Sequence, residues 1–157
     1  MKKLISIFGV TGSVGNSAIE LLRKRKDEFE LVAITCNSDI EKISIIANEF
    51  SPKIIAVADE KKLAELKRNV SSNIKCFAGE EGICEAASYK TDIVIASIVG
   101  LAGLKPLIES IKSSPVIALA NKECIVSAGS LIKKLSKEND CNIIPVDSEH
   151  NAIFQIL

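Results

Sequence analysis

The sequence predicts an α/β protein with a doubly wound, mostly parallel sheet of about seven strands, covered by helices on both faces. Short apolar segments rich in β-branched residues alternate along the chain with segments of helical periodicity. The loops between them are short, and there is no internal repeat or long linker. Such alternation produces parallel strands joined by right-handed helical crossovers. With 157 residues, the chain has the size of one domain.

The turn after the first predicted strand has the glycine spacing of a dinucleotide-binding motif. Apolar residues 4–8 lead into Gly9, Gly12 and Gly15, in the order G-x-x-G-x-x-G, a variant of G-x-G-x-x-G. Gly9 allows a tight turn, Gly12 lets a phosphate reach the backbone, and Gly15 lets the helix pack on the strand. Any strand-to-helix turn can use glycine, but this context favours a Rossmann-like fold with a diphosphate at the helix N-terminus.

The other elements follow from the same two periodicities. Thr11 or Ser13 is expected to be the N-cap of the first helix, and Asp59 that of the third. The strongly apolar segment 93–98 is expected to be a central strand. Strands are predicted at 4–8, 29–36, 54–58, 74–78, 93–98, 116–120 and 142–146. Helices are predicted at 14–26, 40–50, 60–70, 79–87, from the turn at 99–103 to 112, at 121–138, and from 152 onward.

Composition and charge exclude several classes of function. Twenty Lys and Arg side chains balance twenty Asp and Glu side chains, so non-specific binding of nucleic acid or of an anionic membrane has little support. No apolar run approaches a length of about 20 residues, which is needed to span a bilayer. The N-terminal apolar run lacks the cleavage site of a signal peptide. The five cysteines form no C-x-x-C pair, which indicates thiols of a reducing compartment. We therefore expect a cytoplasmic protein.

Polar or glycine-rich residues follow five of the predicted strands, where ligands bind in such a sheet. These segments are 9–14, 37–39, 97–100, 121–123 and 147–149. After the second strand, Asn37 and Ser38 offer hydrogen-bond donors for a phosphate, whereas Asp39 is either a helix cap or a ribose ligand. The residues alone leave the choice between NAD and NADP open.

The last strand end carries two carboxylates. Asp147 and Glu149 are two residues apart, which places both on one side of an extended backbone. They suit Mg²⁺ or Mn²⁺, and they equally suit the first turn of a helix without a metal. His150, the only histidine, is interpreted as a helix-surface residue. Lys122 lies where a cation can meet a substrate anion or a cofactor, although it can also be simply solvated.

Three motifs together resemble the 1-deoxy-D-xylulose 5-phosphate reductoisomerase family. They are GVTGSVG at 9–15, ANKE at 120–123 and PVDSEHNAIFQ at 145–155, in the family's order and spacing. The resemblance implies isomerisation and NADPH-dependent reduction of 1-deoxy-D-xylulose 5-phosphate to 2-C-methyl-D-erythritol 4-phosphate in non-mevalonate isoprenoid biosynthesis. It also implies a divalent metal, Mg²⁺ or Mn²⁺, and a homodimer for the intact enzyme.

The resemblance also implies the roles of individual residues. Lys122 and Glu149 are expected to be catalytic, and Asp147 and Glu149 to bind the metal. The substrate is expected to contact Lys122, Ser148 and Glu149. Residues expected to bind NADPH are Thr11, Gly12, Ser13, Val14, Asn37, Ser38, Asn121 and Glu123.

Two departures from the family pattern matter. After the second strand the family usually has glycine, a residue that is often basic, and asparagine, whereas this chain has Asn37-Ser38-Asp39. The family's chain is also more than twice as long. We therefore expect residues 1–157 to be the NADPH-binding domain, ending at the start of the catalytic domain, and to be inactive in isolation.

Two other functions are alternatives: another nucleotide-sugar or semialdehyde oxidoreductase with the same glycine turn, and a module that is not an enzyme. A short-chain epimerase or reductase would carry a Tyr-x-x-x-Lys pair, but Ile93 stands four residues after Tyr89, the only tyrosine. A redox-sensing, cofactor-binding module that acts through a partner protein remains the non-enzymatic alternative.

Overall fold

The computed structural model describes residues 1–147 and Gln155, and within them the chain forms seven strands and six α-helices. The strands are β1 (Lys3–Phe8), β2 (Phe29–Cys36), β3 (Ile54–Val57), β4 (Lys75–Ala78), β5 (Ile93–Ala96), β6 (Val116–Leu119) and β7 (Asn142–Pro145). The helices are α1 (Ser13–Lys24), α2 (Ile40–Phe50), α3 (Leu63–Asn69), α4 (Gly79–Ala87), α5 (Leu104–Ser113) and α6 (Lys122–Glu138).

The strands form one parallel sheet in the order β4-β3-β2-β1-β5-β6-β7. The predicted fold class is therefore confirmed, and β5 is an interior strand as expected. The chain builds outward from β1 to β4 and then returns to place β5 on the other side of β1. Because the strand order reverses between β1 and β5, their carboxyl ends form the crevice in which this class of sheet binds ligands.

The sheet separates two hydrophobic cores. Ile7 packs into a cluster with residues of α1, α2 and α3, whereas its neighbour Phe8 packs into a second cluster with residues of α4, α5 and α6. Ala33 and Ile34 alternate in the same way on β2, because successive side chains of a strand point to opposite faces. Full burial of such a side chain contributes about 1.5–3 kcal/mol. Both faces are therefore covered, as the near-continuous apolar strands predict.

Most strands are slightly shorter than predicted, usually at their carboxyl ends. Ala58, Ala120 and Val146 each still donate one backbone hydrogen bond to the neighbouring strand, but the chain then turns away from the ladder. β5 ends at Ala96 rather than at Ile98, because the chain bends there beside the glycine turn.

The prediction of a helix at 60–70 is wrong for its first turn. Asp59 is the predicted cap, but its carboxylate accepts from Lys61 N at 3.0 Å and closes a 3₁₀ turn over Glu60–Lys62. The α-helix begins only at Leu63. The helix predicted from 152 onward lies outside the described residues, and within those described no helix is long and apolar enough to cross a membrane.

Candidate cofactor-binding site

The turn at Gly9 is built by backbone hydrogen bonds to the neighbouring strands. Gly9 has a φ of +85°, and its N–H donates to both the carbonyl and the hydroxyl oxygen of Thr35 at 3.1 Å. On the other side, the hydroxyl of Ser97 donates to Phe8 O at 2.7 Å. A Cβ at Gly9 would lie 2.7 Å from Ser97 O. Glycine is therefore required here both for the positive φ and for the close approach of β5.

Gly15 brings α1 against the end of β1. A Cβ at Gly15 would lie 2.6 Å from Val10 Cα, closer than real Cβ atoms come to other atoms. Gly12 differs, because a Cβ there would meet only Gly9 O, at 3.4 Å. The packing role predicted for Gly15 is thus confirmed. The space around Gly12 agrees with a glycine that keeps the backbone open to a ligand.

The N-terminus of α1 lacks a side-chain cap. The prediction that Thr11 or Ser13 caps it is wrong, because the N-cap is Gly12, in extended backbone with φ −77° and ψ 176°. Among the described residues no side chain accepts a hydrogen bond from the first N–H groups of α1. Thr11 contributes its carbonyl instead, which accepts from Asn16 Nδ2 at 3.3 Å. An uncapped N-terminus presents N–H donors and a partial positive charge, which is the arrangement that binds phosphate.

A cavity of about 650 Å³ opens at this turn, along the carboxyl ends of the strands. This volume is within the range of small-molecule and cofactor sites. Of the predicted cofactor-binding residues, Thr11, Gly12 and Asn37 line it. Ser13 and Val14 lie beside it in the first turn of α1, and Ser38 is exposed in the loop after β2. The other lining residues are Gly9, Thr35, Cys36, Ala58, Glu80, Ile83, Ser97, Ile98, Val99, Ala102 and Pro106.

At the end of β2, the structure resolves the role of Asp39. Its Oδ1 accepts from Lys42 N at 3.0 Å, so Asp39 is the N-cap of α2. The loop is held by Asn37 O, which accepts from Asp59 N at 3.0 Å. Burial, with a smaller contribution from the charge of Asp39, raises the pKa of the neighbouring Cys36 thiol to about 12. Cys36 therefore lines the cavity as a protonated thiol.

Asn121 connects the ends of β5 and β6. It is 3% exposed, its Nδ2 donates to Ile98 O at 2.5 Å and to Gly100 O at 2.8 Å, and its Oδ1 accepts from Cys124 N at 3.0 Å. Asn121 thus caps α6 and holds the loop after β5. Its predicted contact with the cofactor stays a prediction.

The predicted substrate and metal residues lie at the β6–β7 side of the same edge. Leu119 of β6 pairs with Pro145 of β7, so Lys122 and Asp147 follow paired strand ends. Glu123 is half-buried in the first turn of α6. Ser148 and Glu149, which complete the predicted set, lie outside the described residues, and so does His150, which is predicted to be a helix-surface residue.

The structure describes only part of the predicted metal site. Within residues 1–147 and Gln155, no group of three or more His, Cys, Asp or Glu side chains could hold a metal ion. Asp147 is the one predicted metal ligand that the structure describes. By contrast, the uncapped helix, the glycine turn and the cavity fit a dinucleotide diphosphate.

Sequence reasoning missed two residues of the site, Thr35 and Lys42, and it gave Ser97 only as part of the polar segment 97–100, without the anchoring role that Ser97 shares with Thr35. The Nζ of Lys42 donates to Thr11 O at 3.1 Å. Thr35 and Ser97 are polar residues in otherwise apolar segments, at the ends of the two strands that flank β1. A polar residue in that position is the signal that could have found them. Lys42 gives no such signal, because its partner is 31 residues away.

Comparison with known proteins agrees with this geometry. The family model described as 1-deoxy-D-xylulose 5-phosphate reductoisomerase matches residues 5–129. The enzyme of that name from Clostridium perfringens is 48% identical over 159 residues, which cover 99% of this chain and 41% of that protein. Its counterpart from Caldanaerobacter subterraneus is 44% identical over 157 residues, covering 100% of this chain and 41% of that protein.

Solved structures of 1-deoxy-D-xylulose 5-phosphate reductoisomerases have the same fold as this chain. The reductoisomerase of Zymomonas mobilis in complex with NADPH has a TM-score of 0.96 and 34% identity, covering 100% of this chain and 42% of that one. A reductoisomerase in complex with NADPH, fosmidomycin and magnesium has a TM-score of 0.93 and 36% identity, covering 99% of this chain and 39% of that one. This chain therefore spans about 41% of the length of the curated relatives it matches, and it belongs to the 1-deoxy-D-xylulose 5-phosphate reductoisomerase family.

Proposed function

We propose that this chain is the NADPH-binding domain of a 1-deoxy-D-xylulose 5-phosphate reductoisomerase. The observation that carries the proposal is the glycine turn, which presents the uncapped N-terminus of α1 to a cavity of about 650 Å³ at the reversal point of the sheet. The proposed reaction is isomerisation of 1-deoxy-D-xylulose 5-phosphate and reduction to 2-C-methyl-D-erythritol 4-phosphate. NADPH, when bound, supplies the hydride for the reduction.

The residues of the chain have distinct parts in this proposal. The backbone N–H groups of the first turn of α1, at 13–15, bind the diphosphate, and the anchors Thr35 and Ser97 hold the glycine turn in place for it. Asn37 and Ser38 bind on the adenosine side, beyond β2. On the other side, Asn121 keeps the loop after β5 in position. Each contact orients the cofactor, and orientation is what this fold contributes to hydride transfer.

The β6–β7 edge is proposed to face the substrate. Lys122 provides a cation for the substrate, and Glu123 faces the cofactor. Asp147 contributes one carboxylate to a Mg²⁺ or Mn²⁺ site, with Glu149 as the second metal ligand and catalytic acid group and Ser148 as a further substrate contact. The support for these roles is the family match and the convergence of Lys122 and Asp147 at paired strand ends.

We further propose that turnover requires residues beyond those of this chain, since its relatives are more than twice as long. For the intact enzyme, we propose a cytoplasmic homodimer without affinity for nucleic acid. The balance of acidic and basic side chains supports the last point.

The proposal is tested by changing the charge at the N-cap of α1. Asp is a favoured N-cap residue, and the backbone at Gly12 is extended with room for a Cβ, so Gly12→Asp is expected to fold normally. Its carboxylate, however, occupies the N–H groups and repels a diphosphate. We expect NADPH affinity, measured by calorimetric titration, to fall about tenfold or more.

The matched control is Gly12→Ser, which supplies a neutral cap of similar size. It is expected to weaken NADPH binding less than Gly12→Asp, because it lacks the charge. Thermal unfolding of both variants checks that the fold is intact. Binding of NADPH to Gly12→Asp with unchanged affinity would show that the cofactor does not use this helix N-terminus.

A further inference from the structure

Lys42 brings a cation to the glycine turn from a different element. It lies in the first turn of α2, is half-buried, and its Nζ donates to Thr11 O at 3.1 Å. The same carbonyl accepts from Asn16 Nδ2. Thr11 lines the cavity and Lys42 does not, so the ammonium group of Lys42 contacts the backbone of a lining residue.

The charge of Lys42 is not neutralised by an ion pair in the described part of the chain. Arg23 and Lys26, on α1 and just after it, both pair with Glu49. Two carboxylates are close to Lys42 in sequence: Glu41, which is exposed in the first turn of α2, and Asp39, which caps that helix. An ammonium group has three N–H donors, and Thr11 O takes one of them.

Lys42 joins two places along the cleft, because it contacts Thr11 and lies in the first turn of α2, directly after the loop 37–39. In a doubly wound sheet, the diphosphate lies at the first helix and the adenosine ribose lies toward the end of the second strand. Thr11 marks the first of these places, and Asn37, another lining residue, marks the second. A cation nearby accommodates a phosphate on the ribose 2′ position, whereas an acid selects the free hydroxyl. The loop 37–39 itself carries no cation.

We propose that Lys42 recognises the 2′-phosphate of the adenosine ribose and so gives this chain its preference for NADPH over NADH. The inference rests on the proposed function, because it assumes that a dinucleotide occupies the cleft. Asn37 and Ser38 contribute neutral donors to the same phosphate. Capping of α2 by Asp39 keeps that carboxylate engaged with the helix backbone.

The experiment compares NADPH with NADH, which differ only by the 2′-phosphate. Each is titrated calorimetrically into the wild-type chain and into Lys42→Met, Lys42→Arg and Lys112→Met. Lys112 lies in the last turn of α5, and its replacement changes the net charge as much as Lys42→Met does. We expect Lys42→Met to lose NADPH affinity about tenfold or more, since charge-assisted hydrogen bonds are lost, and to keep its affinity for NADH. Lys42→Arg and Lys112→Met are expected to keep the preference for NADPH.

The alternatives give different results. If Lys42 only supports the turn through Thr11, Lys42→Met will weaken NADPH and NADH equally, which overturns the inference. Equal affinity of the wild-type chain for both nucleotides, or an unchanged preference in Lys42→Met, also overturns it while leaving the proposed function in place. Failure of the wild-type chain to bind either nucleotide overturns the proposed function as well.

Discussion

The two sides of the cleft are built from different parts of the polypeptide. On the β1–β2 side, backbone atoms form the surface: a Cβ at Gly9 or Gly15 would clash with the neighbouring backbone, whereas Gly12 has room for one. On the β6–β7 side, the groups proposed to act are the side chains of Lys122 and Asp147, which follow strand ends that the sheet brings together. In the proposed function, a diphosphate is therefore recognised by main-chain geometry, whereas the substrate side depends on chemically specific groups.

The two sides also differ in how much of the proposed site the structure describes. The proposed diphosphate site lies within the first 40 residues or so, because one strand, one turn and one helix N-terminus suffice for it. A metal site needs several ligands, and the structure describes one of the predicted ones, Asp147. We expect substitutions on the β1–β2 side to destabilise the fold through steric clashes. Substitutions on the β6–β7 side are expected to destabilise it through lost hydrogen bonds.

The largest effect is expected from adding one methyl group at Gly15. Gly15→Ala places a Cβ 2.6 Å from Val10 Cα, so α1 must move away from β1. We expect the free energy of unfolding in urea to fall by about 3 kcal/mol. The matched control is Gly129→Ala in α6, where the Cβ would lie 3.8 Å from Ile125 Cγ2 and helix propensity improves by up to about 1 kcal/mol. Equal effects of the two changes would disprove the close packing of α1 on β1.

A smaller loss of stability is expected from removing one hydrogen-bond donor on the other side of the cleft. Asn121→Asp keeps the oxygen that caps α6 but loses the Nδ2 donor to Ile98 O and Gly100 O. We expect a destabilisation of about 2 kcal/mol, since two carbonyls lose their partner in a buried place. Faster hydrogen exchange around 98–103 should accompany it.

Asp39→Asn is the control, because it alters an exposed N-cap without burying an unpaired group. A change within about 0.5 kcal/mol is expected for it. If Asn121→Asp is equally mild, the loop after β5 is held by other contacts than those of Asn121.

The smallest effect, absent at neutral pH, concerns Cys36. Burial raises the pKa of its thiol from an ordinary value of 9.0 to about 12 in the folded chain. The unfolded chain therefore loses this proton first, and the contribution of Cys36 to stability falls as the pH rises from about 9 to about 12. Urea unfolding of wild type and Cys36→Ala should show a steeper loss of stability in the wild type above pH 9. Parallel pH profiles would contradict the raised pKa, and so would rapid alkylation of Cys36 at pH 8.

The sheet could be predicted from the sequence because its signals are local. Residues 29–36, 40–50 and 79–87 match β2, α2 and α4 at both ends, since apolar periodicity and flanking caps define each of them. The packing role of Gly15 was equally local, because the motif itself specifies a helix close to a strand.

What could not be predicted depends on contacts between distant residues. Asn121 is predicted to bind the cofactor from its place after β6, and nothing local indicates that its amide also donates to carbonyls more than 20 residues earlier. The N-cap of α1 was assigned to Thr11 or Ser13 from propensity alone, although a phosphate-binding helix gains by leaving its N–H groups uncapped. In both cases, the general preference of a residue type does not reveal the role that the residue has at the end of a particular strand.

The division of the interior by the sheet constrains how this chain can vary. Ile7 and Phe8 are adjacent in sequence but belong to different cores. A change in the volume of Ile7 can be compensated by Ile34 or Ile55 on its own face, whereas Phe8 cannot respond to it. Insertion of a single residue into β1 would exchange the two faces and place Phe8 in the wrong core. The helix layers on the two faces of the sheet can therefore diverge independently in evolution, as long as the strand register between them is kept.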